Sequence, residues 1–236
     1  MRSSHTRESA SPRRAHRRLT VLGAAVAISA LALSGCGQGG TPDAPAEGGS
    51  QAAAPEYPVN ENADVKDSKT WQAAKDAGTL KVGVKFDQPG LGNVKAGSDV
   101  PEGFDIEIAK MVGAQLGFAP DQLDFVETVS ANREPFLQQG NVDLVVATYT
   151  INDERKQQVN MVSYFNAGTQ WVTAKGNPKK VDPDNACGLN VGVQKGTVQI
   201  DDLEARNKEC EAAGKEPIKA IVEQEQSKVT ASLVSG

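Results

Sequence analysis

The residues best suited to chemistry lie in one short segment, from Thr148 to Arg155. Asn152 can cap a helix, which would place Arg155 in the first turn beside free backbone N–H groups. A guanidinium group there can hold a carboxylate through two parallel hydrogen bonds. Thr148 and Thr150 follow a buried apolar run, and their oxygen atoms can receive an ammonium group. Taken alone, Arg155 could equally be a surface arginine, and the threonines could reflect β propensity.

The elements that must position this segment follow from the hydrophobic pattern. Helices are predicted over residues 71–77, 104–116, 132–139 and 152–158, and strands over 80–86, 123–129, 142–148 and 170–173. This alternation predicts an open, mainly parallel α/β sheet. Ligands of such sheets bind beyond the carboxyl ends of the strands. We therefore expect the loops 85–92, 128–133 and 148–155 to meet.

A second α/β unit is predicted after the Gly176-Asn177-Pro178 segment. Strands are expected over residues 189–193 and 218–222, and helices from a turn at 194–197 to about residue 207 and over 227–234. Thr197 stands at the start of the first of these helices. It is either a helix N-cap or, with the N–H groups of its turn, a carboxylate ligand, and the two roles are compatible.

Two motifs resemble family 3 of the extracellular solute-binding proteins, the amino-acid receptors of ABC importers. They are Gly103-Phe104-Asp105-Ile106-Glu107-Ile108 and the run from Val145 to Arg155. The run from Lys85 to Gly90, together with residues 132–136, is similar to the glutamate-binding lipoprotein subgroup. The segment from Met161 to Phe165 departs from the family's usual Phe-Ser-Xaa-Pro-Tyr. The resemblance covers residues 66–236.

The resemblance implies a periplasmic-binding-protein-like fold of two α/β lobes joined by two crossovers, with the ligand between them. Residues 66–174 would form lobe one and residues 175–236 a partial lobe two. The family's next strand, an acidic ligand-binding residue and the return crossover are expected to be missing, so the second lobe is expected to be incomplete. We therefore expect this chain to bind glutamate weakly or not at all, and an extended chain to bind it well.

The resemblance also implies the roles of the site residues. Arg155 would hold the α-carboxylate, Thr148 and Thr150 the ammonium group, and Thr197 the carboxylate from lobe two. A glutamate side chain needs further cations, for which Arg133 and Lys85 are the candidates; Lys85 is as well explained as an exposed strand lysine. Gln194 and Gln226 are weaker candidates from lobe two.

The start of the chain indicates export. Residues 1–35 combine a basic region with an apolar stretch too short to span a membrane, which is typical of a signal peptide. Leu33-Ser34-Gly35-Cys36 resembles a lipobox, so Cys36 is expected to be lipid-modified and to anchor the protein to the outer face of the cytoplasmic membrane. A plain cleaved signal is the alternative. Residues 36–65 are predicted to be a flexible tether.

Two further cysteines, Cys187 and Cys210, favour a disulfide in an oxidising compartment, although two free buried thiols would also fit. The subgroup resemblance implies the same bridge. The two histidines, His5 and His16, both lie in the signal, so a metal site is not expected. We expect no cofactor and a monomer.

Composition narrows the class of function. The formal net charge of -5 and an aromatic content of 5% argue against nucleic acid as a partner. Motifs of hydrolases, metalloproteases and phosphate loops are absent, and Asp105 and Glu107 are interpreted as acids that stabilise a helix N-terminus. The family resemblance then implies a binding protein that serves an ABC permease. A dehydratase-like enzyme on the same fold and a receptor domain of a signalling protein are the alternatives.

Overall fold

The computed structural model describes residues 55–236. Its helices are α1 to α6, namely Lys69–Ala77, Phe104–Gln115, Arg133–Gln139, Asp153–Lys156, Val198–Ala212 and Gln226–Ser235. Its strands are β1 to β8, namely Leu80–Val84, Asp87–Gln88, Gly92–Val94, Pro101–Glu102, Leu123–Glu127, Leu144–Val146, Asn190–Gln194 and Lys219–Glu223. We use lobe one for residues 66–174 and lobe two for residues 175–236. The predicted signal peptide and Cys36 lie outside the described residues.

Lobe one is organised around a parallel sheet in the order β5-β1-β6. Val82 of the central strand pairs with Phe125 on one side and Leu144 on the other. The core combines one face of α1 and α2 with this sheet, and its buried members include Val82, Val84, Ile106 and Phe118. The three strands point the same way, so their carboxyl ends share one edge.

The predicted helix ends at residues 77 and 139 and the predicted cap at Asn152 are confirmed. Ser68 caps α1 and accepts a hydrogen bond from the N–H of Trp71, and Gly78 ends that helix with a left-handed φ of 70°. Gly140 ends α3 in the same way, as expected of a residue without a Cβ. Asn152 caps α4 and accepts from the N–H of Arg155.

A small antiparallel sheet in the order β2-β3-β4 was not predicted. Its strands have two, three and two residues, which is too short for an alternating pattern to appear. It carries the chain from the end of β1 to the start of α2. This sheet fixes the loop 85–92 beside the sheet edge where the ligand loops were expected.

The predicted strand over residues 170–173 is wrong. The structure has no regular element between α4 and Pro183, and residues 170–173 pair with no described strand. Extended, β-prone sequence does not form a strand without a partner for its N–H and C=O groups. The helix predicted over residues 152–158 is also shorter, because α4 ends at Lys156.

Lobe two contains one parallel pair, β7 and β8, with Val191 beside Ala220 and Val193 beside Val222. Its buried core consists of Ala186, Val193, Leu203, Cys210 and Ile218. Cys187 and Cys210 form a disulfide bond with a Cα–Cα distance of 5.7 Å, as predicted. The bridge joins the segment before β7 to the last turn of α5.

The described part of the predicted tether, residues 55–65, contacts α2. The Asn60 N–H donates to the Ala114 carbonyl at 2.9 Å, and the Tyr57 hydroxyl donates to Glu107 Oε2 at 2.8 Å. Helix α2 therefore has polar partners on the irregular segment that precedes lobe one in the sequence. Within residues 55–236, no helix is both long and apolar enough to cross a membrane.

Candidate functional site

The three loops that follow β1, β5 and β6 meet at the carboxyl edge of the lobe-one sheet, and the turn after β7 lies against them. A Cβ atom added to Gly196 would stand 2.6 Å from Ala131 Cα and 2.7 Å from Ala131 N. Gly196 has φ 75°, so both the turn and this close approach require glycine. The candidate site lies at this contact between the lobes.

Arg133 is buried in the contact, with 3% of its surface exposed. Its Nε donates to the Ser130 carbonyl at 2.9 Å and its Nη1 to the Ala147 carbonyl at 3.2 Å, both in lobe one. Its Nη2 donates to the Gly196 carbonyl of lobe two at 2.9 Å. The guanidinium group predicted to face a ligand side chain thus bonds backbone oxygens of both lobes.

Arg155 reaches the same oxygen. Its Nη2 donates to the Gly196 carbonyl at 3.3 Å, and its Nη1 donates to the Thr150 carbonyl at 2.9 Å. The two guanidinium groups predicted to bind carboxylates therefore converge on one carbonyl oxygen. A carbonyl oxygen carries only partial negative charge, so it is a weaker partner for two cations than a carboxylate oxygen.

Tyr149 separates these two arginines, and the sequence analysis missed its role. The guanidinium carbons of Arg133 and Arg155 lie 4.1 Å and 4.5 Å from the centre of its ring. Its hydroxyl group donates to Glu134, whose carboxylate also lies 3.8 Å from Arg155 Nε. A tyrosine between two threonines resembles ordinary strand sequence. Its place in the segment from Thr148 to Arg155 was the one sequence signal for a role in the site.

The electrostatics of this cluster favour an anion. Burial, and then the charge of Arg155, lower the pKa of Arg133 to about 10. Burial and the hydrogen bond to Glu134 raise the pKa of Tyr149, so its hydroxyl group stays protonated. Two mutually repelling cations with one nearby carboxylate would be stabilised by a further negative charge.

Thr148 and Thr150 lie where the sequence analysis placed them, directly after β6, and both are exposed. Thr148 has φ 46°, which is rare for a β-branched residue. Its hydroxyl group donates to Gln88 Oε1 at 3.0 Å, and its carbonyl lies 3.5 Å from Arg133 Nη1. Such strain persists only where surrounding contacts determine the conformation, and it is frequent at binding sites.

Lys85 is not an exposed strand lysine, because only 1% of its surface is accessible. Its Nζ lies 3.1 Å from Asp87 Oδ1. Asp87 Oδ2 in turn accepts from the N–H of Gln226 at 2.6 Å, at the start of α6. A lobe-one carboxylate thus caps a lobe-two helix. Lys85 and Gln226, two predicted ligand residues, are linked through it rather than to the arginines.

The remaining lobe-two candidates also serve the contact between lobes. Gln194 is buried; its Oε1 accepts from the Ser130 hydroxyl at 3.1 Å, and its Nε2 donates to the Gln224 carbonyl at 2.9 Å. Thr197 is the N-cap of α5, but its hydroxyl group donates to the Gln194 carbonyl at 2.7 Å instead of accepting from the helix. The Thr197 side chain therefore does not cap the N–H groups at this helix start, although the Ile200 N–H donates to the Thr197 carbonyl at 3.1 Å.

The sequence that forms this site matches a known protein family. The model of the bacterial extracellular solute-binding proteins, family 3, matches residues 80–232, which include every element from β1 to most of α6. The chain belongs to family 3 of the bacterial extracellular solute-binding proteins. The family is named for binding solutes outside the cell, and the resemblance stated from Gly103–Ile108 and Val145–Arg155 is confirmed.

Individual relatives are named for binding different amino acids. The chain is 32% identical to the arginine-binding protein ArgT of Corynebacterium glutamicum over 57% of its own length and 43% of that protein's. It is 37% identical to the glutamate-binding protein GluB of the same organism, over 37% of its own length and 31% of that protein's. The chain therefore spans less than half the length of these two relatives.

A solved structure supports the fold class. The ancestral amino-acid-binding protein AncCDT-1, described as a precursor of cyclohexadienyl dehydratase, superimposes with a TM-score of 0.59 and 28% identity. The match covers 71% of this chain and 70% of that one. The predicted periplasmic-binding-protein-like fold is confirmed.

Proposed function

We propose that this chain binds an amino acid, glutamate, and presents it to an ABC permease at the outer face of the cytoplasmic membrane. One observation carries the proposal. Two guanidinium groups, from Arg133 and Arg155, are directed at the same oxygen atom, the Gly196 carbonyl, at the edge of the sheet where family ligands are expected.

A carboxylate is the natural occupant of this position. It offers two oxygen atoms with full negative charge, whereas the carbonyl offers one with partial charge. Arg155 would take the α-carboxylate, helped by the N–H groups of the turn that ends at Thr197. Thr148 and Thr150 would receive the ammonium group through carbonyl and hydroxyl oxygens.

The sign of the charge separates glutamate from arginine, the ligand named for ArgT. An arginine side chain would bring a third guanidinium group towards Arg133 and Arg155, where Glu134 is the one carboxylate of residues 55–236 in contact with that cluster. A glutamate side chain would instead supply the missing negative charge, through Arg133 and, after a rearrangement of its bond to Asp87, Lys85. Gln194 and Gln226 would line the lobe-two side of the ligand.

The remaining features of the proposal concern place and partners. Cys36 would carry the lipid anchor that follows a signal peptide, and the protein would act as a monomer beside its permease. Unchanged retention on membranes of a Cys36→Ala variant would contradict the anchor. The competing dehydratase-like activity would need a general base in the cleft. It can be tested by NMR of glutamate recovered after incubation with the protein: product instead of intact glutamate would favour the enzyme.

The test of ligand class is a titration of the purified chain with glutamate, glutamine and arginine, extended to millimolar ligand. Arg155→Ala should weaken binding of every amino acid by about 2–5 kcal/mol, because it removes a charged hydrogen-bonding partner. Arg133→Ala should weaken glutamate binding much more than glutamine binding. The matched control is Arg206→Ala, which removes an arginine paired with Asp202 on α5.

Two results would contradict the proposal. Equal losses of glutamate and glutamine affinity in Arg133→Ala would remove Arg133 from the side-chain role. A chain that binds arginine more tightly than glutamate would contradict the charge argument. A thermal-shift screen of the twenty amino acids would then identify the ligand.

A further inference from the structure

Asp105 is a fully buried acid that the proposed site does not use. It is the second residue of α2, and its Oδ1 accepts a hydrogen bond from the Tyr164 hydroxyl at 3.0 Å. Its Oδ2 accepts no hydrogen bond from the described residues. A buried carboxylate with one oxygen left unpaired is costly, so stability alone does not account for it.

The Tyr164 hydroxyl connects this acid to the strained residue of the site. The N–H of Thr148 donates to Tyr164 Oη at 3.1 Å, while the Tyr164 O–H donates to Asp105. The hydroxyl group therefore has one incoming and one outgoing hydrogen bond. Together the three residues form a chain from the ligand loop to the start of α2, across sequence separations of 16 and 59 residues.

We propose that Asp105 and Tyr164 are positioning residues that hold Thr148 in its left-handed conformation and so orient the loop that receives the ligand ammonium group. The identity of the ligand in this inference rests on the proposed function. The hydrogen bonds that hold Thr148 do not depend on it. With its N–H directed at Tyr164, Thr148 directs its carbonyl towards Arg133 and its hydroxyl group to Gln88. Losing the hydrogen bond to Tyr164 would therefore free the N–H, the carbonyl and the hydroxyl group of Thr148 together.

The choice of an acid at position 105 fits this role. A carboxylate is a stronger acceptor than a neutral oxygen, so it fixes the direction of the Tyr164 O–H. Burial raises the pKa of Asp105, while the Tyr164 hydroxyl and the Thr148 N–H both act to lower it. The positive end of α2 also stabilises negative charge at its second residue.

The first measurement is hydrogen exchange of the Thr148 amide in the ligand-free chain. Tyr164→Phe should accelerate this exchange by about tenfold, because the N–H loses its acceptor. Asp105→Ala should produce a similar increase and Asp105→Asn, which keeps an oxygen acceptor, a smaller one. The matched control is Tyr57→Phe, which removes a tyrosine hydroxyl bonded to another acid of α2, Glu107.

The second measurement separates positioning from general stability. Tyr164→Phe should weaken L-glutamate binding by about tenfold in the natural chain. In a Thr148→Gly background, Tyr164→Phe should change affinity by less than about twofold, because glycine adopts a positive φ without the hydrogen bond to Tyr164. A purely structural role would give the same loss in both backgrounds.

The outcomes are distinct. Unchanged Thr148 exchange in Tyr164→Phe, or equal affinity losses in the two backgrounds, would overturn the inference. If L-glutamate and the other amino acids all fail to bind, the proposed function fails, and the exchange measurement still decides whether Asp105 and Tyr164 hold Thr148.

Discussion

Lobe one and lobe two contribute to the candidate site in different ways. Lobe one supplies charged side chains, Arg133 at the start of α3 and Arg155 in α4, on helices that follow the parallel strands β5 and β6. Lobe two supplies backbone atoms, above all the Gly196 carbonyl and the N–H groups at the start of α5. Side chains determine which ligand is chosen, whereas backbone groups can accept any ligand with the same main-chain groups.

The two lobes also differ in what stabilises them. Eight buried residues form the core cluster of lobe one, whereas five form that of lobe two, and one of those five is a disulfide cysteine. Both lobes leave large apolar side chains exposed, among them Val162 at 88% in lobe one and Val234 at 83% in lobe two, so the difference lies in the buried cores. Lobe one is thus held by packing, and lobe two depends more on its cross-link and on contacts with lobe one.

The largest expected effect comes from Asp87, which stabilises both lobes at once. Asp87→Ala would leave the Lys85 ammonium group unpaired at a fully buried position and remove the cap of α6. Loss of one partner of a buried ion pair costs about 3–5 kcal/mol. Urea unfolding at pH 7 should show this loss.

The controls for Asp87 test the comparison directly. Lys85→Met combined with Asp87→Ala removes both charges and should recover a large part of the stability. Asp143→Ala removes a carboxylate that accepts from the Lys81 N–H within lobe one, without a contact to lobe two. If it costs as much as Asp87→Ala, the contact between lobes contributes less than we infer.

The Lys85–Asp87 pair also shows the limit of reading the sequence. Alternation of Lys81 and Lys85 with apolar residues predicted a strand, which is confirmed, but left Lys85 as either a ligand-facing cation or an exposed strand lysine. Lys81 is exposed, but Lys85 is buried, because β1 is the central strand and its carboxyl end is covered. The second partner of Asp87, the Gln226 N–H, lies 139 residues away, a distance over which no local pattern carries information.

The site was predictable to a similar extent. Arg155, Thr148 and Thr150 follow a recognisable strand and cap, so their common location follows from the order of elements. The roles of Tyr149 and Tyr164 depend on tertiary contacts, the first with arginines of α3 and α4 and the second with α2. Helix caps and strand cores are local consequences of sequence, whereas the partners of buried polar groups are not.

The second effect concerns the disulfide. Replacing Cys187 and Cys210 with alanine opens a loop spanning 23 residues, for which the chain-entropy model gives about 3 kcal/mol. We expect hydrogen exchange to accelerate at β7, α5 and β8, while β1 and β5 keep their protection. Simultaneous loss of protection in both lobes would show that they unfold as one unit and would break the comparison.

The smallest expected effect on stability, and the sharpest test of the contact, is Gly196→Ala. The added Cβ would overlap Ala131, a backbone that cannot rotate away, and alanine disfavours φ 75°. We expect the free energy of unfolding to fall by about 1–2 kcal/mol. The loss stays small because the arginines freed from the Gly196 carbonyl become hydrated. Small-angle scattering should show a larger radius of gyration. Gly188→Ala is the matched control, with φ 79° in lobe two but with its nearest atom, Glu216 Cβ, at 3.7 Å. If both variants keep the native radius of gyration, the Gly196 turn yields to the added atom, and the close approach does not set the separation of the lobes.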